Sequence, residues 1–387
     1  VSTRPPLRTL TDTPLGSRSI LREVLVRGPQ SRTELAATLH LTLPNVTRLT
    51  RPLIALGVLA ETAAERVPGT GGRPRMPLDV VIENHHVAGV KITGDHLYVV
   101  RTDLRAAVVA EAREPLASTA PDAVLAQIAR LVEQTPGGTD LLRGIGVTVG
   151  GHAPDRATVT AAPFMGWSGV DVAGGLTART GLPAVVDNDV AGLAGYLHWY
   201  GSARELDRFA VITIGAGVGF ALVVHNRNLR SRAADLNGLG QHVVSVAADG
   251  AVRTVASFLT TTEICARASA DHGRDLSYDD VLTLADHGDP ACRRVVDDAV
   301  AVLGDLVASV ADFALVEHVV LSGEGAALAT LNRAALDDAM RVRRPTDPPP
   351  LLDVHGVDFS EWARGAAVLA VQEFVAAPAT VHPPLGG

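Results

Sequence analysis

Apolar residues recur at helical spacing in three short stretches near the start of the chain. Ile20, Leu21, Val24 and Leu25 make one face of a first helix, which Gly28-Pro29 closes. Ser31 with Glu34 three residues on is a capping box, each satisfying the other's free donors at a helix start, and Leu35 and Leu39 supply its apolar face. Thr42 is placed to cap a third helix whose first turn tolerates Pro44, since no amide partner is needed there. Val46, Leu49, Leu53 and Leu56 then fall on one side, leaving Asn45, Thr47, Arg48 and Arg51 facing outward. Pro52 removes a hydrogen bond and is predicted to kink or end this helix near Arg48. Gly57 closes the pattern, 58–62 reads as a strand, and the Gly/Arg-rich tip 69–75 returns into Met76 and Leu78.

Two helices with a short turn, a polar cationic outer face and a following hairpin are what a winged helix-turn-helix needs. Its second helix enters the major groove, where Arg and Asn are shaped for bidentate contacts to guanine and adenine. An ordinary solvated helical bundle would share the helix spacing; the hairpin with Arg73 and Arg75 at its tip is the feature it lacks. Candidate DNA-contacting residues are therefore Asn45, Thr47, Arg48, Arg51, Arg73 and Arg75.

Beyond residue 80 the pattern changes to strand runs alternating with helices. Strands are predicted at 87–90, 97–101, 144–149, 184–186, 209–214, 219–225 and 318–321, and helices at 122–133, 190–200 and 360–375. The similar strand-turn-strand openings at 87 and 209 predict a duplicated α/β unit with a ligand cleft between the copies. The expected division is a DNA-binding domain over 1–80 and a first lobe over 81–205, to which a C-terminal helix within 360–380 returns. A second lobe over 206–359 carries dimerisation.

Charge sharpens this division. The net charge is −8, yet residues 1–80 carry 11 Arg against 6 acidic groups, a net of +5, and the other 307 residues a net of −13. A basic module on an acidic body confines phosphate attraction to one end. Apolar residues at 47% and charged residues at 20% exclude a disordered chain. No apolar run reaches a membrane span and the start lacks a signal core, so a cytoplasmic protein without membrane partners is expected. Residues 1–15 are expected to be mobile, and Cys265 and Cys292 to be buried apolar thiols.

In order along the chain, Gly144-Ile145-Gly146-Val147-Thr148-Val149-Gly150-Gly151, Ala162-Pro163-Phe164-Met165-Gly166-Trp167, Val186-Asp187-Asn188-Asp189, Ile214-Gly215-Ala216-Gly217-Val218-Gly219 and Val320-Leu321-Ser322-Gly323-Glu324-Gly325 resemble the ROK family. That family holds sugar-responsive repressors and sugar kinases. The resemblance implies an actin-like, two-lobed ATPase fold behind the winged helix. It also implies an operator bound as a homodimer or dimer of dimers, and a sugar or sugar-derivative effector.

The resemblance has gaps where chemistry would be done. Kinase members open the first lobe with Asp-x-Gly-x-Thr, holding metal and phosphates; here the segment reads Lys91-Ile92-Thr93-Gly94-Asp95. Their second phosphate loop, Gly-Thr-Gly, is Gly215-Ala216-Gly217. Asp189 takes the position of the catalytic base but has no donor site to serve, so no enzyme activity and no cofactor are expected. The family's cysteine cluster is replaced by 247–254 without a thiolate, so no metal is expected. For a ligand the resemblance leaves Gly151, Asn188, Asp189, Gln241 and His242, with Gln241 rather than His242 in the family's His register. Other family sugar contacts are lost at Phe164, Gly238 and Ala256. Two further readings stay open: a sugar-kinase-like enzyme with a DNA-binding extension, and a repressor controlled by a partner rather than a ligand.

Overall fold

The computed structural model describes residues 10, 13–63, 76–246, 250–356 and 359–376. The expectations for most of 1–15 and for the tip 69–75, with Arg73 and Arg75, lie outside these residues. Three helices open the chain: α1 (Leu15–Arg27), α2 (Arg32–Thr38) and α3 (Leu43–Ala55). A two-stranded antiparallel ribbon follows, β1 (Leu59–Glu61) with β2 (Leu78–Val80). The capping box forms: Ser31 Oγ accepts from the Glu34 amide at 3.3 Å and Glu34 Oε2 from the Ser31 amide at 2.8 Å. A cap of this kind stabilises by about 1 kcal/mol, enough to fix where a seven-residue helix begins. Thr42 occupies the N-cap of α3 without making a side-chain cap bond.

The expectation that Pro52 ends the helix is overturned. Helix α3 does not end near Arg48 but runs on to Ala55. Pro52 sits in its last turn, so a single backbone bond is lost, while Leu49 and Leu53 on either side are buried among the other helices. Leu56, expected on the apolar face, follows the helix and is 36% exposed.

The first lobe runs β3 (His86–Ile92), β4 (His96–Asp103), β5 (Val108–Pro115), α4 (Pro121–Gln134), β6 (Leu142–Val149), a short ribbon of β7 (Thr158–Val159) and β8 (Val170–Asp171), α5 (Val172–Thr180), β9 (Ala184–Asn188) and α6 (Asp189–Trp199). The second opens with β10 (Arg208–Ile214), β11 (Val218–Val224), β12 (Arg227–Leu229) and α7 (Arg232–Asp235). It continues through the ribbon β13 (Val243–Val246) and β14 (Val252–Thr254) to α8 (Ala256–Leu259), α9 (Thr261–His272), α10 (Tyr278–Asp286) and α11 (Pro290–Ala314). It closes with β15 (His318–Ser322), α12 (Leu328–Leu331), α13 (Arg333–Arg343) and β16 (Leu351–His355), before α14 (Phe359–Val375).

The two five-stranded sheets have one topology. Their orders, β5-β4-β3-β6-β9 and β12-β11-β10-β15-β16, each join an antiparallel meander to two parallel strands. The mixed α/β fold and the duplication expected from the repeated strand openings are thus both present. The edge strands β5 and β16 were not foreseen. On β5 no position is buried, half-buried and exposed ones alternating from Ala110 on, and β16 follows a Pro-rich stretch.

Helix α14 packs across β3, β4 and β6 of the first sheet. Gly89 and Gly146 permit it: a Cβ at either would come within 2.1 and 1.8 Å of the Ala363 and Ala366 carbonyl oxygens. Its other side joins Trp199 and the apolar residues of α1, α3, β1 and β2 in one continuous buried cluster. The N-terminal module is therefore packed onto the body through a shared core. Cys292 is buried, which pushes its thiol up to about 11, whereas Cys265, expected to be buried, is only partly so. Among the described residues no helix is long and apolar enough to cross a membrane.

Candidate functional site

On α3 the core-facing residues are Val46, Leu49, Thr50 and Leu53, all buried, so the opposite face is fixed. Arg48 and Arg51 are exposed on it, and Asn45 and Thr47 are half-buried. Arg48 Nη2 donates to Asn45 Oδ1 at 2.8 Å, and Thr47 Oγ1 donates to the Leu43 carbonyl at 3.0 Å. An exposed pairing of this kind costs little to exchange for a base edge. Side chains suited to purine edges thus stand together on the helix that a helix-turn-helix offers to the major groove.

A cavity of about 560 Å³ lies between the lobes, at the ends of β3, β6, β9 and β10. Lys91 at the end of β3 donates Nζ to Asp189 Oδ2 and lies 5.2 Å from the Trp362 ring centroid. Both charged side chains are largely buried, at 8% and 19% exposure, so the pair is shielded from water and the Asp189 carboxylate is balanced by the chain's only lysine. Asp189 Oδ1 also accepts from the Val190 amide at 2.9 Å.

Asn188 caps α6, its Oδ1 accepting from the Val190 and Ala191 amides at 2.9 and 3.3 Å. Its Nδ2 donates to the carbonyls of Gly151 at 3.0 Å and Asp235 at 3.2 Å. All four hydrogen-bonding positions of that amide are used within the chain. Gly151 enters through its carbonyl and does not itself line the cavity. Gln241 and His242 are exposed and stand outside the lining. The structure therefore brings Asn188, Asp189 and the Gly151 carbonyl together and leaves the other two apart.

The turn 215–217 lines the opposite wall, and the Glu324 carboxylate lies against it, within 2.2 Å of where a Cβ on Gly215 would stand. Phe164 lines the same cavity and is 68% exposed. Lys91 is the one basic residue of the lining, against Asp95, Asp189, Asp235 and Glu324. Among the described residues no group of three or more His, Cys, Asp or Glu is placed to hold a metal ion.

Behind the cavity the lobes are clamped by charge. Asp187 at the end of β9, with 1% of its side chain exposed, accepts both terminal nitrogens of Arg230 at 2.6 Å each and Arg156 Nε at 3.1 Å. Asp235 Oδ2 pairs with His152 Nδ1 at 2.7 Å, and burial holds the Asp235 carboxyl above the usual aspartate range despite that bond and the nearby Arg230. Sequence reasoning missed Lys91 as a partner for Asp189, although a sole lysine at the family's Asp position was a signal. Nothing in the local pattern marks Arg230.

Comparison with known proteins follows the same division. A model of the ROK family matches residues 87–373. A transcriptional regulator of Mycobacterium tuberculosis is 27% identical over 337 residues, covering 83% of this chain and 76% of that protein. The DNA-binding transcriptional dual regulator NagC of Escherichia coli is 23% identical over 331 residues, 80% of each chain. Among solved structures, a ROK family transcriptional regulator homologous to the Escherichia coli MLC protein superposes with a TM-score of 0.78 at 19% identity, covering 93% of this chain and 97% of that one. A ROK family glucokinase from Streptomyces griseus, in complex with glucose and AMPPNP, superposes with a TM-score of 0.61 at 20% identity over 74% of this chain and 99% of its own.

Proposed function

The chain belongs to the ROK family, and from that premise we propose that it is a transcriptional regulator of carbohydrate-related genes that binds double-stranded operator DNA through α2, α3 and the hairpin behind them. The observation that carries this reading is the polar face of α3, with Asn45, Arg48 and Arg51, on a basic module packed onto an acidic body. The regulators of Mycobacterium tuberculosis and Escherichia coli align over most of this chain, and the solved regulator covers 93% of it where the glucokinase covers 74%. The protein reads an inverted repeat as a homodimer or dimer of dimers, each half-site taking one α3 in the major groove.

The cleft takes an uncharged polyol or sugar. Asp189 keeps free lone pairs for hydroxyl donors, Phe164 offers an apolar face, and the acidic balance of the lining disfavours a phosphorylated ligand. Asn188, spent within the chain, acts by holding the α6 end in place. The kinase reading is disfavoured by the Lys91–Asp189 pair, which occupies both the base and the metal-handling position.

Sites selected from a randomised duplex pool and measured by fluorescence anisotropy test the proposal. Arg48→Ala should weaken operator binding by about 1–3 kcal/mol and relax the preferred base. Arg51→Ala should weaken all sequences alike, and a parent chain that selects no sequence overturns the reading. An effector should change operator affinity by roughly 5–150-fold, and Asp189→Ala should lose that response while still binding DNA.

A further inference from the structure

A second cavity, of about 470 Å³, lies where α1 of the N-terminal module meets both lobes. Its charge is the reverse of the cleft's: four arginines, Arg18, Arg22, Arg156 and Arg227, line it, and no carboxylate does. Arg18 is held in place by the carbonyls of Leu10 and Ala376, each at 2.8 Å. Arg22 lies 5.6 Å from the Trp199 ring centroid, a contact that orders the guanidinium without cancelling its charge. Arg156 gives Nε to Asp187 at 3.1 Å, and Arg227 is exposed at the start of β12. His198, also in the lining, adds no charge: burial lowers its pKa, and its Nε2 is bonded to Asn226 Oδ1 at 2.8 Å.

Arg22 and Arg227 bring positive charge to one open-sided cavity with no carboxylate in its lining, Arg156, though paired with Asp187, adds a third guanidinium, and a bound anion offsets that excess of positive charge. Their planar forks match tetrahedral oxyanions, and the volume lies within the range of ordinary metabolite sites. We propose that this junction cavity is a binding site for a small phosphorylated anion, held by Arg22, Arg156 and Arg227. Because Arg22 belongs to α1, Arg156 to the first lobe and Arg227 to the second, the anion ties the DNA-binding module to both halves of the body. The site is separate from the cleft, and the proposal stands whether or not a polyol binds there.

Inorganic pyrophosphate titrated calorimetrically into the full chain at low chloride is the test. One saturable site per chain is expected. Arg227→Ala should weaken it roughly tenfold, the loss of one charge-assisted bond, while leaving the melting temperature in place. Arg22→Lys, which keeps the charge and loses the fork, should weaken it less, and the remote Arg130→Ala should not change it. Absence of saturable heat, or an Arg227→Ala chain that binds like the parent, overturns the proposal. So does an Arg227→Ala chain that, without pyrophosphate, loses affinity for duplex DNA as far as Arg51→Ala does, since the cations would then serve the DNA backbone.

Discussion

The cleft and the junction cavity both border α6, the first at its N-terminal end through Asn188, Asp189 and Val190, the second along its length through Ala191, Ala194 and His198. In the cleft, polar groups are largely consumed by the chain itself: Lys91 by Asp189, Asn188 by four backbone groups, Asp235 by His152. The lining of the junction cavity holds arginines and no carboxylate. Asp187 stands between the two, bonded to Arg156 of the junction and to Arg230, which reaches within 3.9 Å of Asp235 in the cleft. Polar groups that satisfy one another within the chain have less bonding capacity left for a ligand, whereas an excess of like charge in one lining is offset when a counter-charged ligand binds.

The largest effect is expected at Asp187, whose carboxylate holds Arg156 and Arg230 together. Asp187→Ala leaves Arg156 and Arg230 without their shared buried partner and should lower the unfolding free energy by about 3–5 kcal/mol in urea denaturation. A loss below about 1 kcal/mol would mean that the two arginines find other acceptors and that the wall between the cavities is not electrostatic. Next, a double-mutant cycle on Lys91→Ala and Asp189→Ala should give a coupling of about 1.5–3 kcal/mol, as for a charge-assisted bond out of water. Coupling near zero would deny that the two groups satisfy each other in the cleft.

Asp235→Asn sharpens the comparison by pH. The folded-state pKa of Asp235 is raised, chiefly by burial, so its favourable contribution is fully present below the ordinary aspartate value and is lost as pH rises through the raised one. Stability of the parent relative to Asp235→Asn should accordingly fall with rising pH over that window, with His152, Arg230 and Asp187 as the charged neighbours. A difference independent of pH would show that the carboxyl is not desolvated. The smallest effect belongs to the other cavity: Arg227→Ala should change stability by no more than about 0.5 kcal/mol, since its side chain is exposed.

The pattern of apolar spacing was enough to place α1, α2 and α3, the first strands of both sheets and the last helix, because periodicity reports which face is buried. The ordered segments around Gly146, Asn188 and Gly217 were enough to identify the family and the cleft. Local rules failed where a neighbour from far along the chain outweighed them. Pro52 was read as a helix break, but burial of Leu49 and Leu53 outweighs one missing hydrogen bond. Asn188 and Asp189 were read as free ligand groups, yet Gly151 and Lys91, 37 and 98 residues away in sequence, use much of their bonding capacity. The balance of +5 and −13 was fixed by composition, but which charges meet was decided by folding alone. Coulomb energy depends on distance and desolvation, and neither Arg230 beside Asp187 nor Arg22 in the same cavity as Arg227 has any trace in a local sequence pattern.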